Sequence, residues 1–145
     1  MFLRVANKTD YMSLIEIWEA SVRATHDFLE EDDLQRLKPL ILTQYFDSVN
    51  LTAAVNKHGD VVGFSGIADG SIEMLFIAPE YRGQGIGRLL LRQAVDEQAA
   101  TRVDVNEQNP AAIGFYQAQG FSVYDRSSLD AEGMPYPLLH MQLNA

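Results

Sequence analysis

Leu14, Ile17, Trp18 and Val22 recur at the helical period and predict a helix with one buried stripe, which Thr9 or Asp10 is placed to cap. A short strand over residues 2–6 precedes it. The pattern breaks at Ala24-Thr25-His26-Asp27-Phe28-Leu29 and resumes over residues 32–48. Pro39 should interrupt or kink this second helix, because proline lacks an N–H and its ring clashes with the preceding turn. Residues 51–56 and 61–68 read as two strands of a hairpin joined by Lys57-His58-Gly59-Asp60. After the Asp69-Gly70 turn, residues 72–77 are apolar at nearly every position, the pattern of a strand covered on both faces. A helix over 87–98, a strand over 101–105, a helix over 109–119 ended by Gly120, and strands over 121–124 and 138–143 complete the chain.

The order β-α-α-β-β-β-α-β-α-β-β predicts an α/β domain of mixed, α+β-like character, with a central mixed sheet and helices on both faces. A right-handed crossover should set strand 72–77 beside strand 102–105 and parallel to it. At 145 residues, with no linker-like stretch and no repeat, the chain reads as one domain, residues 1–145.

Composition removes several chemistries. There is no cysteine, so disulfides, thiolate metal sites and an acyl-cysteine intermediate are excluded. No His/Asp/Glu group has metal-ligand spacing, and no Ser-His-Asp arrangement is readable, so the expectation is an enzyme without metal. The formal charge of −9 disfavours nucleic acid and anionic membrane and draws cationic partners, an amine substrate among them. The N-terminal residues lack a basic stretch followed by an apolar run, and no apolar run is long enough to span a bilayer; cytoplasm is the default expectation.

The chemistry concentrates at Arg82-Gly83-Gln84-Gly85-Ile86-Gly87, between the apolar strand and a helix. Glycines let consecutive N–H groups point inward, and the helix adds the positive end of its dipole, which makes an anion site suited to a diphosphate. Arg82 and Arg88 add charge at the rim. A Gly83-x-Gly85-x-Gly87 spacing is neither the dinucleotide fingerprint nor a P-loop.

The run from Leu75 to Leu90, with Arg82, Gly85 and Gly87 in register, resembles the acetyl-CoA-binding motif of the GCN5-related N-acetyltransferases. A second stretch, Val105-Asn106-Glu107-Gln108-Asn109-Pro110-Ala111-Ala112-Ile113-Gly114-Phe115-Tyr116 with Gly120-Phe121, is similar to the family's following motif. Residues 24–29, 106–109 and 135–139 look more narrowly like the YjaB-type bacterial members. The resemblance implies a single domain of that family with a splayed sheet, acetyl-CoA as co-substrate, and direct transfer of the acetyl group to a primary amine in a ternary complex. It implies cofactor contacts from Leu75, Phe76, Ile77, Arg82, Gly83, Gln84, Gly85, Ile86, Gly87, Arg88, Asn109 and Tyr116. Backbone groups of Leu75 and Ile77 would pair with the pantetheine arm, and Tyr116 would protonate the departing thiolate. A core-facing aromatic is the plain alternative for Tyr116, and a helix N-cap for Asn109. A non-catalytic acyl-CoA-binding regulatory domain and a nucleotide-binding module remain the rivals at this level.

An attacking amine must first lose a proton. Glu73, the one carboxylate in an apolar strand, is the candidate base, with a solvated strand-end acid as the plain reading; burial would raise its pKa toward a useful range. On the acceptor side the candidates are His26, in the break between helices where the family forms its acceptor site, Asp27, Phe28 and Tyr136, the last held between two prolines. The plain alternatives are a surface or structural histidine, an Asp27 that merely caps the next segment, and a Tyr136 that simply packs. His26 also competes with Glu73 as base. The acceptor is an amine, either a small molecule or a protein lysine or N-terminus, and a homodimer through residues 138–143 stays open.

Overall fold

The computed structural model describes residues 1–145, and every predicted element is present. In chain order these are β1 (Phe2–Val5), α1 (Tyr11–Thr25), α2 (Glu31–Leu40), β2 (Asn50–Val55), β3 (Val61–Ala68), β4 (Ser71–Ile77), α3 (Ile86–Gln98), β5 (Arg102–Asn106), α4 (Pro110–Ala118), β6 (Phe121–Ser127) and β7 (Leu138–Leu143). The strands form one sheet in the order β1-β2-β3-β4-β5-β7-β6, antiparallel except where β4 meets β5.

The first core lies under α1 and α2, where Leu14, Ile17, Trp18 and Val22 meet Phe64 and Phe46. Phe46 stands 5.0 Å from the ring of Tyr11 and 5.8 Å from Phe64, and is fully buried. A Phe46→Ala variant is expected to lose about 3–5 kcal/mol of unfolding free energy, measured by denaturant titration, because a ring-sized cavity opens among fixed neighbours. A loss below about 1 kcal/mol would show that the site collapses instead. The second core, on the other face, joins Leu91 and Ala94 of α3, Tyr116 of α4 and Val103, Val105 and Met141 of the sheet.

Several local expectations are corrected. Asp10 is the N-cap residue of α1, as expected, but its side chain does not cap that helix. The capping contacts belong to the 3-10 turn Lys8–Asp10 ahead of it, where Asn7 Oδ1 accepts from Thr9 N–H and the Asp10 carboxylate accepts from Asn7 N–H and takes both arms of Arg4 at 2.9 Å. Pro39, by contrast, interrupts the regular winding as expected: α2 stops at Leu40, and the chain continues as a π-helical turn, Ile41–Tyr45, and a 3-10 turn, Phe46–Ser48. β6 extends to Ser127 because β7 supplies partners along its whole length. The strand over 72–77 is not covered on both faces: only Ile72 is fully buried, since the remainder borders an open cleft.

Candidate active site

β4 and β5 are parallel neighbours for two residue pairs only, Ser71 with Arg102 and Ile72 with Val103, and then diverge. A bulge helps to turn them apart. Gly66 pairs with Met74 and Ile67 with Ile72, leaving Glu73 as the extra residue of β4. Beyond it, the strand edge facing β5 has no partner. Ala78 N–H bonds to Val62 O on the β3 side, so by alternation the backbone groups of Ile77 and Leu75 face the gap. The gap is the floor of a cleft of about 510 Å³ whose walls include Thr25, His26, Glu73, Asp104, Asn109 and Tyr116.

The glycine loop closes one end. Gly83 and Gly85 have φ of 77° and 84°, backbone angles that side chains resist. Gly87 differs: it is not in the left-handed region, and a Cβ there would make only an ordinary contact, 3.4 Å, with the Phe115 ring of α4. From Gly83 to Arg88, six consecutive backbone N–H groups have no acceptor within the protein; the first helical bond is Leu89 N–H to Gly85 O at 3.0 Å. Arg82 and Arg88 border the cleft, free of ion pairs. Unpaired donors, a helix N-terminus and two free cations converge on one place. Gln84 does not line this cleft; it borders a neighbouring hollow with Leu89 and Arg92.

Tyr116 is buried among Phe115 and Phe121, with ring centres at 5.1 and 5.6 Å, and burial raises its pKa. Its hydroxyl has no hydrogen bond within the protein and opens on the cleft. It is therefore both core aromatic and cleft wall. Asn109 likewise combines two features: its Oδ1 caps α4 by accepting from Ala112 N–H at 3.2 Å, and its amide NH2 keeps no partner inside the protein. Glu73 sits at the cleft mouth, and its carboxyl is pushed up by partial burial first and by the charge of Asp104 second.

Asp104 carries no signal in the sequence beyond the alternation of Arg102-Val103-Asp104-Val105. It is the next residue of β5 after the last β4–β5 pair, which sets it beside Glu73. It also begins a row that spacing along the chain does not reveal: Asp104 Oδ1 lies 2.6 Å from His140 Nδ1, and His140 Nε2 lies 2.6 Å from Ser127 Oγ. No Ser-His-Asp arrangement is readable in the sequence, because its members lie on separate strands. Three strands, β5, β7 and β6, bring it together, and it holds the Asp104 carboxylate in place next to Glu73.

Of the acceptor-side candidates, His26 lines the cleft, whereas Asp27, Phe28 and Tyr136 do not. Phe28 packs 5.1 Å from the His26 ring and 6.3 Å from Tyr136. The Tyr136 hydroxyl accepts Glu30 N–H at 3.2 Å and donates to Asp33, which ties the β6–β7 loop to the start of α2. No group of three or more His, Asp or Glu side chains is placed to hold a metal ion, and no helix is long and apolar enough to cross a membrane.

A splayed parallel pair, an unpaired strand edge and an anion cradle at the next helix define a class of acyl-transfer protein. A family model described as the acetyltransferase (GNAT) domain matches residues 48–123. The peptidyl-lysine N-acetyltransferase YjaB of Escherichia coli strain K12 is 41% identical over 128 residues, 88% of this chain and 86% of that protein. The solution structure of apo-form YjaB from Escherichia coli superposes with a TM-score of 0.87 at 38% identity, covering 97% of this chain and 95% of that one. The PaiA N-acetyltransferase of Thermoplasma acidophilum, solved with coenzyme A, shares the fold with a TM-score of 0.77 at 19% identity, over 99% of this chain and all of that one (100%). The chain belongs to the GNAT family of N-acetyltransferases, enzymes that move an acetyl group from acetyl-CoA to an amine.

Proposed function

We propose that this enzyme acetylates lysine side chains of proteins, with acetyl-CoA lying across the β4–β5 gap. The observation that carries the donor half is the unpaired β4 edge running directly into six free N–H groups at the start of α3. That geometry fits an extended arm ending in a diphosphate. The lysine acceptor is favoured by the likeness to YjaB and by an acidic chain that attracts ammonium groups.

The residues then divide the work. The loop from Arg82 to Arg88 holds the pyrophosphate, Leu75 and Ile77 pair with the pantetheine, and an N–H of that edge polarises the acetyl carbonyl. The Asn109 amide donates to the same arm. Glu73, directly or through water, takes the amine's proton, and the Tyr116 hydroxyl gives one to the sulfur as the thiolate leaves.

The acceptor half is tested by thiol release from acetyl-CoA with lysine peptides, small amines and a protein N-terminal peptide, and by mass spectrometry of the products. Acetylated lysine is the expected product. Binding of acetyl-CoA with no amine acetylated would instead favour a binding-only domain, and displacement of acetyl-CoA by ATP would overturn the donor assignment.

The proton-taking role of Glu73 has a pH signature. A base works deprotonated, so the rate should fall as pH drops through the raised Glu73 pKa. Removing the neighbouring charge in Asp104→Asn lets the Glu73 carboxyl ionise more readily, and the acidic limb of kcat/KM should move to lower pH. In Glu73→Gln the break set by Glu73 should disappear, leaving only the slope set by the peptide's own lysine ammonium. An acidic limb unmoved in both variants would assign it to another group.

A further inference from the structure

Thr25 and His26 lie side by side in the cleft wall at the end of α1. The Thr25 hydroxyl is 2.7 Å from Ser21 O, one turn back, and 2.7 Å from His26 Nδ1. It carries one proton. A carbonyl can only accept, so satisfying both contacts sends the hydroxyl proton to Ser21 O. The Thr25 oxygen must then accept from His26, which places the ring proton on Nδ1. The remaining ring nitrogen, Nε2, makes no hydrogen bond within the protein and is open to solvent. Phe28, 5.1 Å away, packs against the ring and limits its rotation.

From this geometry we infer that Thr25 is a positioning residue: it holds His26 in the Nδ1–H tautomer, so that unprotonated Nε2 accepts an N–H bond from the incoming amine. The inference rests on the acceptor entering the cleft as proposed above. A neutral ring is required, and burial, which lowers the His26 pKa against the opposing pull of Asp27, favours it. A primary amine needs its lone pair aimed at the acetyl carbon. An acceptor at Nε2 for one of its N–H bonds orients it without competing for that lone pair. Glu73 remains the group that takes the proton. His26 itself would touch the substrate, while Thr25 acts only through it.

The tautomer is read by long-range proton–nitrogen correlation spectra of the full chain labelled at histidine, with the His26 signals assigned by their loss in His26→Gln. The wild type should show protonated Nδ1 and unprotonated Nε2. In Thr25→Val, free of that constraint, Nε2 should carry the proton in a substantial share of molecules. Thr25→Val should also lose about tenfold in kcat/KM for a lysine peptide, the size of one hydrogen bond. Its KM for acetyl-CoA should stay within about twofold, since the donor contacts are untouched. Thr25→Ser, which keeps the hydroxyl, should restore both the spectrum and the rate. A protonated Nε2 in the wild type overturns the inference, as does a Thr25→Val enzyme that changes tautomer with no loss toward the peptide. A wild type with the expected tautomer that binds acetyl-CoA but acetylates no lysine peptide would count against the acceptor assignment and leave the tautomer lock standing.

Discussion

Replacing Tyr116 with phenylalanine is expected to lower kcat for acetyl transfer by about 10²–10³-fold, the usual worth of a positioned general acid. The KM for acetyl-CoA should hardly move. The phenylalanine ring keeps the packing against Phe115 and Phe121, so the fold and the cleft wall survive. What disappears is a cleft-wall hydroxyl that has no partner inside the protein and is free to donate. The raised pKa matters here in sign: burial keeps the phenol protonated through neutral and mildly alkaline pH, so it is available as a donor. Wild-type activity should therefore show no alkaline fall caused by Tyr116 in the ordinary assay range. Stopped assays of free thiol against peptide concentration separate kcat from KM. An unchanged kcat in Tyr116→Phe would leave the tyrosine a purely structural residue.

The second large effect is expected at the loop, in Gly85→Ala. Gly85 stands at φ 84°, immediately before α3, with open space where a Cβ would go. The alanine therefore meets no clash with the rest of the protein, and its cost is conformational, of order 1–3 kcal/mol. The backbone can avoid that cost by relaxing toward negative φ, which turns the Gly83–Arg88 N–H groups away from a common point. Acetyl-CoA affinity should fall about 10–100-fold, matching that free energy at about 1.4 kcal/mol per tenfold. Thermal stability should change far less, since the loop is exposed and carries no core residue but Ile86. Calorimetric titration with acetyl-CoA measures the loss. Binding within about twofold of wild type would show that the loop's left-handed geometry is not what holds the phosphates.

The elements with a clear period are legible from the order of residues alone. The α1 stripe and the second core's helices follow from where apolar residues recur, and α4 from its Asn109 cap and Gly120 stop. The glycine loop is legible for the same reason: its chemistry depends on backbone freedom, which three glycines at alternate positions declare locally. Pro39 marks where the regular α-winding stops. That the chain stays helical beyond it depends on Ile41 and Phe46 packing into the first core, which is a long-range matter. Tyr136 has the rigid setting of a pocket residue, between two prolines, yet its hydroxyl is spent on Glu30 and Asp33, more than a hundred residues earlier in the chain.

Glu73 shows how the two levels meet. The sequence marks it as a carboxylate out of place in an apolar strand. That it is the bulged residue of β4 and stands beside Asp104 depends on how β3, β4 and β5 align, which no local pattern encodes. The same holds for the row Asp104–His140–Ser127 and for the cleft itself, which exists because two strands that begin as neighbours separate after two pairs. By itself, then, the sequence determined the order of elements, the glycine loop ahead of α3 and the motifs that mark the acetyltransferase family, because each is set by residues adjacent in the chain. Tertiary structure alone decided which polar groups line the cleft together, because strand register and splay are properties of distant segments packed against one another.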